Sequence, residues 1–343
     1  MKNLRQGILA LIALLAFAGC SESQITLNVY NWGDYIDETV LADFESATGM
    51  TVNYETFATN EDMYIKVKQG GTKYDVIVPS DYMIARLIKE DLLEKIDVKK
   101  ISTYRNIGKR YLGLDFDPTN EYSVPYMWGT FGILYNTKMV DEPVESWAIM
   151  WNPKYEKQIL MMDSVRDSLA VAFLRLGYSI NTTNTAELEK AAELLAAQKP
   201  LVLAYVGDNG KDMMVAEEAA LAMSWSGDAV AVREQNPDLE YVIPKEGTNL
   251  WVDSMVIPKN SEHKKEALLF IDFMNRPETA QKNAEYIGYA TPNTAAYELL
   301  DEETRSDPAA YPPGEALARW EVFVDIGAAN AEYNRVWTEI KSR

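Results

Sequence analysis

The feature that most constrains this fold is a regular alternation of short β-rich runs with amphipathic segments. In residues 25–30 every second side chain is apolar, and these side chains share one face, as in a half-buried strand. Residues 37–48 instead repeat their apolar side chains at helical spacing, and Gly49 is a suitable C-terminal stop. The alternation continues through predicted strands at 51–54 and within 75–79 and predicted helices at 60–69 and 82–89.

A second alternation covers residues 158–243, with β-rich runs at 159–161, 200–206 and 219–223 and a predicted helix at 164–176. The C-terminal third is mostly helical, and Pro277 is placed to open a helix. Strands that alternate with helices predict parallel sheets with helices on their faces. The sequence therefore predicts an α/β protein with two lobes, in which ligands bind at the carboxyl ends of strands.

The N-terminus predicts export. Lys2 and Arg5 precede an apolar run at 8–18, which is much shorter than the roughly 20 residues that span a bilayer. Ala16 and Ala18 suit an ordinary signal peptidase, whereas the following Gly-Cys pair resembles a lipobox. We favour lipidation of Cys20, the only cysteine, because it has no partner for an intramolecular disulfide. Residues 1–19 are then a signal peptide, 20–24 a lipidated tether, and Cys20 holds the protein to the membrane.

The charge of the chain argues against one class of partner. The chain has 52 acidic and 33 basic residues, for a formal net charge of −19. Phosphate binding requires clustered lysine and arginine, so no nucleic-acid partner is expected. A negative field does concentrate cationic solutes, although many exported proteins are acidic for solubility alone.

The absence of certain residues from the sequence limits catalytic chemistry. His263 is the only histidine, and it lies in a polar helix start that predicts a solvated side chain. A Ser-His-Asp triad could form only around it, and a histidine-rich metal site cannot form. No phosphate-binding glycine loop or dinucleotide fingerprint is present, so we expect no metal, no cofactor and no enzymatic activity. Carboxylate-only hydrolysis stays open as an alternative.

Tryptophan and aspartate recur just after the predicted strands. The clusters are Asn31-Trp32-Gly33-Asp34-Tyr35, Pro79-Ser80-Asp81-Tyr82, Asp163-Ser164 with Asp167, Trp225-Ser226-Gly227-Asp228, and Trp251-Val252-Asp253-Ser254. Any one of them is more often a core aromatic beside a turn or helix cap. Five clusters near strand ends favour a shared site, whereas Trp128, Trp147, Trp151, Trp320 and Trp337 are interpreted as structural.

This combination of residue types suits an alkylammonium ligand. Carboxylates form charge-assisted hydrogen bonds with the amines, and aromatic faces contact the cation and its methylenes. Each charged hydrogen bond contributes about 1.5–3 kcal/mol and each cation–π contact roughly 0.5–2 kcal/mol. Several such contacts outweigh an ordering cost of about 0.5–1.5 kcal/mol per immobilised group.

Four stretches carry a family resemblance over nearly the whole mature chain. They are Tyr30-Asn31-Trp32-Gly33-Asp34-Tyr35, Tyr74-Asp75-Val76-Ile77-Val78-Pro79-Ser80, Trp251-Val252-Asp253-Ser254 and Ile287-Gly288-Tyr289-Ala290-Thr291-Pro292-Asn293. In these stretches the chain resembles the spermidine/putrescine-binding proteins of bacterial polyamine ABC transporters. The resemblance implies a monomer with a type II periplasmic-binding fold, whose two lobes close over the ligand and present the closed form to an ABC permease.

The same resemblance implies lobe boundaries and site residues. Lobe 1 would comprise 25–129 and 254–297, and lobe 2 would comprise 130–253 and 298–343. Asp34 and Asp167 would hold the terminal amines, and Asp253 would make the most central contact. The complete implied ligand-binding set is Trp32, Asp34, Tyr35, Ser80, Tyr82, Ser164, Asp167, Trp225, Trp251, Asp253 and Tyr289.

Two positions depart from the family pattern. Ser164 stands where the family often has a second acidic residue, although Asp163 is adjacent, and Phe323 aligns with a family glutamine. These changes leave open whether a diamine or a triamine is preferred. A sugar-binding protein of the same fold is the main alternative, and a ferric-binding protein, which needs clustered tyrosines, is a weaker one.

Overall fold

The computed structural model describes residues 24–314, 316–317 and 319–342. Its strands are β1 (Thr26–Trp32), β2 (Thr51–Phe57), β3 (Val76–Ile77), β4 (Ser123–Asn136), β5 (Ile159–Met162), β6 (Val202–Val206), β7 (Leu221–Trp225), β8 (Leu239–Val242), β9 (Thr248–Val256) and β10 (Trp320–Glu321).

The longer helices are α1 (Glu38–Thr48), α2 (Asn60–Gln69), α3 (Asp81–Lys89), α4 (Val165–Leu176), α5 (Thr185–Gln198), α6 (Asn209–Val215), α7 (Ser226–Gln235), α8 (Lys264–Met274), α9 (Pro277–Ile287) and α12 (Ala329–Ser342). Two shorter helices, α10 (Thr294–Tyr297) and α11 (Glu302–Ser306), complete the set. Short 3-10 turns occupy Val98–Lys100, Tyr104–Asn106, Lys109–Tyr111, Trp147–Trp151, Pro153–Tyr155 and Lys199–Leu201.

Two long antiparallel strands, β4 and β9, join the two halves of the molecule. The strand order is β2-β1-β3-β9-β4-β7-β5-β6, with β8 paired to β4 and β10 paired to β9. The β1–β3 group is parallel, as is the β5–β7 group, and β4 pairs with β9 from Ser123↔Val256 to Thr130↔Leu250. We call the half built on β1–β3 lobe 1 and the half built on β5–β7 lobe 2.

Each lobe has its own buried core. Phe44, Val76 and Phe270 belong to one cluster of lobe 1, and a second cluster covers the other face of its sheet. Lobe 2 buries a cluster that includes Trp147 and Phe173, which also takes up side chains of α12. Because each lobe excludes water by itself, the lobes can move as units about β4 and β9.

The local patterns predicted most of these elements correctly. The predicted helix 60–69 is confirmed at both ends, because Thr59 caps its N-terminus and Gly70 adopts the left-handed conformation after it. The helix predicted at 37–48 begins at Glu38, since Asp37 is its N-cap, and ends before Gly49. Pro277 opens α9, as predicted.

The predicted signal peptide at 1–19 and the lipidation of Cys20 lie outside the described residues. Within the part of the chain that the structure describes, no helix is long and apolar enough to cross a membrane. The residue boundaries given above for the two lobes stay a prediction.

Candidate functional site

The implied site residues lie where the two lobes meet. β1 ends at Trp32 and leads into the 33–35 turn of lobe 1, and Trp225 ends β7 of lobe 2. Tyr82 and Trp225 each pack against hydrophobic clusters of both lobes. Strand ends from both lobes therefore face one shared cleft, as the topology of α/β folds predicts.

Asp253 is the most central carboxylate. It lies on the crossing strand β9 with 6% of its surface exposed, and the Tyr35 hydroxyl donates to its Oδ2 at 2.9 Å. Ser80 forms an antiparallel bridge with Asp253, and its hydroxyl also contacts the carboxylate. Oδ1 of Asp253 has no hydrogen-bond partner among the residues that the structure describes. Burial raises the pKa of Asp253 to about 6, although the bonds from Ser80 and Tyr35 favour the ionised form.

Aromatic rings form a wall beside this carboxylate. The ring centroid of Tyr289 lies 5.1 Å from that of Trp251 and 5.5 Å from that of Tyr35, with edge-to-face geometry in both pairs. A Cβ on Gly129 would lie 2.4 Å from Trp251 Cζ2, so glycine is required for the indole to lie against β4. A Cβ on Gly227 would likewise lie 2.3 Å from Cδ1 of the Tyr289 ring, so glycine is required at this position too.

Asp167 is a second, partly buried carboxylate and lies in the first turn of α4 in lobe 2. Its pKa is raised to about 6 by burial, against the effect of a hydrogen bond from the Ser164 hydroxyl. Ser164 is also the N-cap of α4, because its Oγ accepts from the Asp167 backbone N–H at 3.4 Å. The Tyr82 hydroxyl of lobe 1 donates to Glu61 and accepts from the Asn60 side chain.

The two positions that depart from the family pattern lie at this same end of the cleft. Phe323 is buried, and the guanidinium carbon of Arg166 lies 4.4 Å from its ring centroid and 5.3 Å from that of Tyr82. The Nη atoms of Arg166 donate to the Val324 carbonyl and to Asn181 Oδ1. Phe323, whose ring lies under the Arg166 guanidinium, therefore occupies the position where the family resemblance implies a glutamine.

A third, partly buried carboxylate, Asp228, lies at the other end and was not among the predicted site residues. It occupies the first turn of α7, accepts from the Tyr289 hydroxyl at 3.2 Å, and has its pKa raised to about 6 by burial. Asp34, which the resemblance assigns to a terminal amine, is instead 79% exposed in its side chain. Lys211 of α6 places its Nζ 3.5 Å from Asp34 Oδ2 and 3.8 Å from Asp228 Oδ1.

Trp32 is the most peripheral of the predicted aromatics. Its ring centroid lies 4.5 Å from that of Phe57, and the side chain is partly buried against both clusters of lobe 1. The structure therefore groups Tyr35, Ser80, Trp251, Asp253 and Tyr289 tightly. It places Tyr82, Ser164 and Asp167 on one side of that group and Asp34 on the other.

The residues that the sequence-based prediction missed depend on contacts between elements that are separate in sequence. Asp228 stood within the Trp225-Ser226-Gly227-Asp228 cluster, so proximity to a strand end could have found it. Arg166 is adjacent to Asp167 but gave no signal, because nothing in the local sequence shows that it is buried. Lys211 had no signal, since its partners lie 177 and 17 residues away along the chain.

The single histidine is only partly solvated, with 33% of its side chain exposed. His263 Nδ1 lies 3.3 Å from the buried carboxylate of Asp75, and Ser261 Oγ donates to the same carboxylate at 2.7 Å. The serine contacts the carboxylate and not the imidazole, so these residues are not arranged as a nucleophile activated by a base. Among the described residues, no group of three or more His, Cys, Asp or Glu side chains is placed to hold a metal ion.

The model of the bacterial extracellular solute-binding protein family matches residues 39–312. The spermidine/putrescine-binding periplasmic protein of Salmonella typhimurium is 39% identical, over 96% of each chain. The structure of the spermidine/putrescine ABC transporter substrate-binding protein PotD of Streptococcus pneumoniae superposes with a TM-score of 0.83 at 43% identity, covering 93% of this chain and 99% of that one. The TpPotD lipoprotein of Treponema pallidum superposes with a TM-score of 0.85 at 29% identity, covering 93% and 100%. These likenesses and the crossing strands confirm the expected type II fold.

Proposed function

The chain belongs to the family of bacterial extracellular solute-binding proteins, and from this we propose that it is the substrate-binding component of a polyamine ABC importer. It captures putrescine or spermidine in the cleft between its lobes. Aromatic stacking holds the methylenes, and carboxylates bind the ammonium groups. The relatives named above are spermidine/putrescine-binding proteins, which supports this substrate class.

One observation in the structure supports a polyamine ligand independently of the relatives. Three carboxylates line one cleft, with Asp253 buried and Asp167 and Asp228 partly buried, and the loss of hydration raises each pKa to about 6. A buried carboxylate is costly to ionise unless a cation compensates it. A linear polyamine supplies several ammonium groups on one flexible chain. A neutral sugar would bring no cation to Asp167 or Asp253, whereas Asp228 already faces Lys211.

We propose that Asp253 binds an ammonium group through Oδ1 while Tyr35 holds Oδ2 and Ser80 lies beside the carboxylate. Trp251, Tyr289 and Tyr35 would contact the methylenes near it. Asp167 would take an amine at the Tyr82 end, with Trp225 between the lobes. Trp32 and Asp34 would border the ligand at the end of the cleft away from Tyr82. Ser164 would hold the Asp167 carboxylate in orientation.

Calorimetric titration of residues 24–343 tests the function directly. We expect one-to-one binding of putrescine or spermidine in the micromolar range or tighter, because two or three charged hydrogen bonds at about 1.5–3 kcal/mol each add to the aromatic contacts. Maltose and glutamate serve as uncharged and anionic controls. Failure of putrescine, spermidine and spermine all to bind would disprove the polyamine function.

The raised pKa values predict that affinity depends on pH. A cationic ligand binds the ionised carboxylate, so affinity is full above pH 7 and falls as the pH drops through about 6. Ionisation of Asp253 alone accounts for a loss of about tenfold between pH 7.5 and pH 5. The ligand stays protonated over this range because alkylamines titrate near pH 10. Equal dissociation constants at the two pH values would contradict this assignment.

The location and partners follow from the same assignment. We infer that the protein works outside the cytoplasmic membrane, as the periplasmic relatives do, and that its closed form docks on an ABC permease. We propose further that it acts as a monomer, that it has no catalytic activity, and that Cys20 carries a lipid anchor. The lipoprotein among the structural relatives supports the anchor. Mass spectrometry of the protein purified from membranes would detect the diacylglycerol on Cys20.

A further inference from the structure

Lys211 places a primary ammonium group inside the cleft. Its Nζ lies 3.5 Å from Asp34 Oδ2 in lobe 1 and 3.8 Å from Asp228 Oδ1 in lobe 2. The Lys211 side chain is 25% exposed, and that of Asp228 is 17% exposed. The lysine therefore bridges carboxylates of both lobes at one end of the proposed binding site.

The charges that face Lys211 hold it in the ionised state. Burial lowers the pKa of Lys211, but Asp228, Asp208 and Asp34 together raise it above the ordinary value. Asp208 lies close to the Gly33 turn, since a Cβ at Gly33 would be 3.7 Å from its Oδ2. Three carboxylates from the elements around Lys211 thus keep one positive charge in place.

The cation at the opposite end of the cleft is different in kind. Arg166 directs its Nη atoms to the Val324 carbonyl and to Asn181, and its guanidinium lies over the ring of Phe323. Lys211 is instead an alkylammonium that contacts site carboxylates directly, so it has the chemistry of the ligand's own amines.

We propose that Lys211 is a built-in ammonium that fills one amine position of the cleft, so that the protein selects a diamine over a triamine. This inference rests on the proposed polyamine function. Spermidine differs from putrescine by one aminopropyl arm, and Lys211 already supplies an aminoalkyl group to Asp34 and Asp228. The third ammonium of a triamine must therefore displace Lys211 or lie beside a like charge.

The test compares the dissociation constants of putrescine and spermidine in the wild-type protein and in Lys211→Met, which keeps the side-chain length and removes the charge. We expect the wild-type protein to favour putrescine. In Lys211→Met, spermidine should gain about tenfold relative to putrescine, because its third ammonium then takes the place of Nζ between the two carboxylates. Lys211→Arg keeps the charge and should retain the wild-type ratio.

Lys89→Met is the matched control. Lys89 also forms an ion pair with a distant segment, 3.3 Å from Asp325 Oδ2, but it lies outside the Lys211 cluster and its side chain is 71% exposed. This variant should keep both dissociation constants. Thermal unfolding of all variants verifies that they are folded.

The outcomes separate this inference from the proposed function. If the wild-type protein binds polyamines and Lys211→Met keeps the wild-type ratio, Lys211 does not determine selectivity and the polyamine function stands. A wild-type protein that binds spermidine more tightly than putrescine overturns the inference without needing any variant. If no polyamine binds the wild-type protein, the proposed function itself is wrong.

Discussion

Asparagine at position 253 is expected to weaken polyamine binding by about 100-fold or more in a protein that stays folded. Asp253→Asn removes the charge opposite the ligand ammonium and leaves that ammonium buried without its counterion, at a cost of about 2–5 kcal/mol. The asparagine side-chain oxygen can still accept from the Tyr35 hydroxyl, which lies 2.9 Å from the present carboxylate. Calorimetric titration with putrescine and spermidine measures the loss.

The same substitution has the opposite effect on the unliganded protein. The pKa of about 6 for Asp253 in the folded protein lies above the ordinary aspartate value of 3.8. The folded protein therefore binds this proton more tightly than the unfolded chain does. That contribution to stability is present at low pH and is lost as the pH rises through 6. A neutral asparagine relieves a cost of up to about 3 kcal/mol at pH 7.5. We therefore expect an unchanged or higher melting temperature for Asp253→Asn.

Asp43→Asn is the control for both effects. Asp43 lies on α1, and its exposed carboxylate pairs with Lys282 at 2.8 Å. Exposed pairs of this kind contribute little, so affinity and melting temperature should both stay at the wild-type values. Wild-type affinity in Asp253→Asn would remove Asp253 from the binding site.

Gly227→Ala is expected to weaken ligand binding by about 30-fold through the contact between lobes. A Cβ at position 227 in lobe 2 would lie 2.3 Å from Cδ1 of Tyr289, whose ring packs in a lobe 1 cluster. Overpacking of this kind costs about 1–3 kcal/mol. The clash exists only where the lobes meet, so it penalises the closed form and leaves an open form unaffected. Titration gives the affinity, and small-angle scattering in the presence of ligand should show a more open average shape.

The helix itself should tolerate this change, because alanine favours a helix more than glycine does. Gly71→Ala is the matched control, since no atom lies within 4 Å of a Cβ built at that position. It should bind ligand as the wild-type protein does. An undiminished affinity in Gly227→Ala would show that closure does not need the Gly227–Tyr289 contact.

Local patterns predicted the elements well because their causes are local. The apolar spacing within 60–69 and the flanking Thr59 and Gly70 define α2 without reference to any other part of the chain. Strand ends were displaced by one to three residues, as for β1, which extends to Trp32, because pairing partners set where a strand stops. The two-lobe α/β architecture followed from the order of these elements.

The carboxylates of the site were predicted in part. Asp253 follows Trp251 in one of the clusters, and Asp167 follows the predicted strand at 159–161. The family resemblance then implied both as ligand-binding residues before their burial was known. The sequence could not show that Asp228 is partly buried in the cleft, where the Tyr289 hydroxyl of the other lobe contacts it. His263 was predicted to be solvated because its neighbours in sequence are polar, whereas its partner Asp75 is 188 residues away.

The sequence by itself determined the alternation of strands and helices, the residue types of the cleft and its acidic, aromatic character, because these depend on the order and chemistry of side chains. Only the tertiary structure decided the pairing of Lys211 with Asp34 and Asp228 and the stacking of Arg166 on Phe323. Both arrangements join side chains from separate elements, so they exist only once the chain has folded, and the Lys211–Asp34 pair also requires that the two lobes meet. Burial likewise sets the pKa of each site carboxylate, and burial is a property of the packed lobes and not of the local sequence.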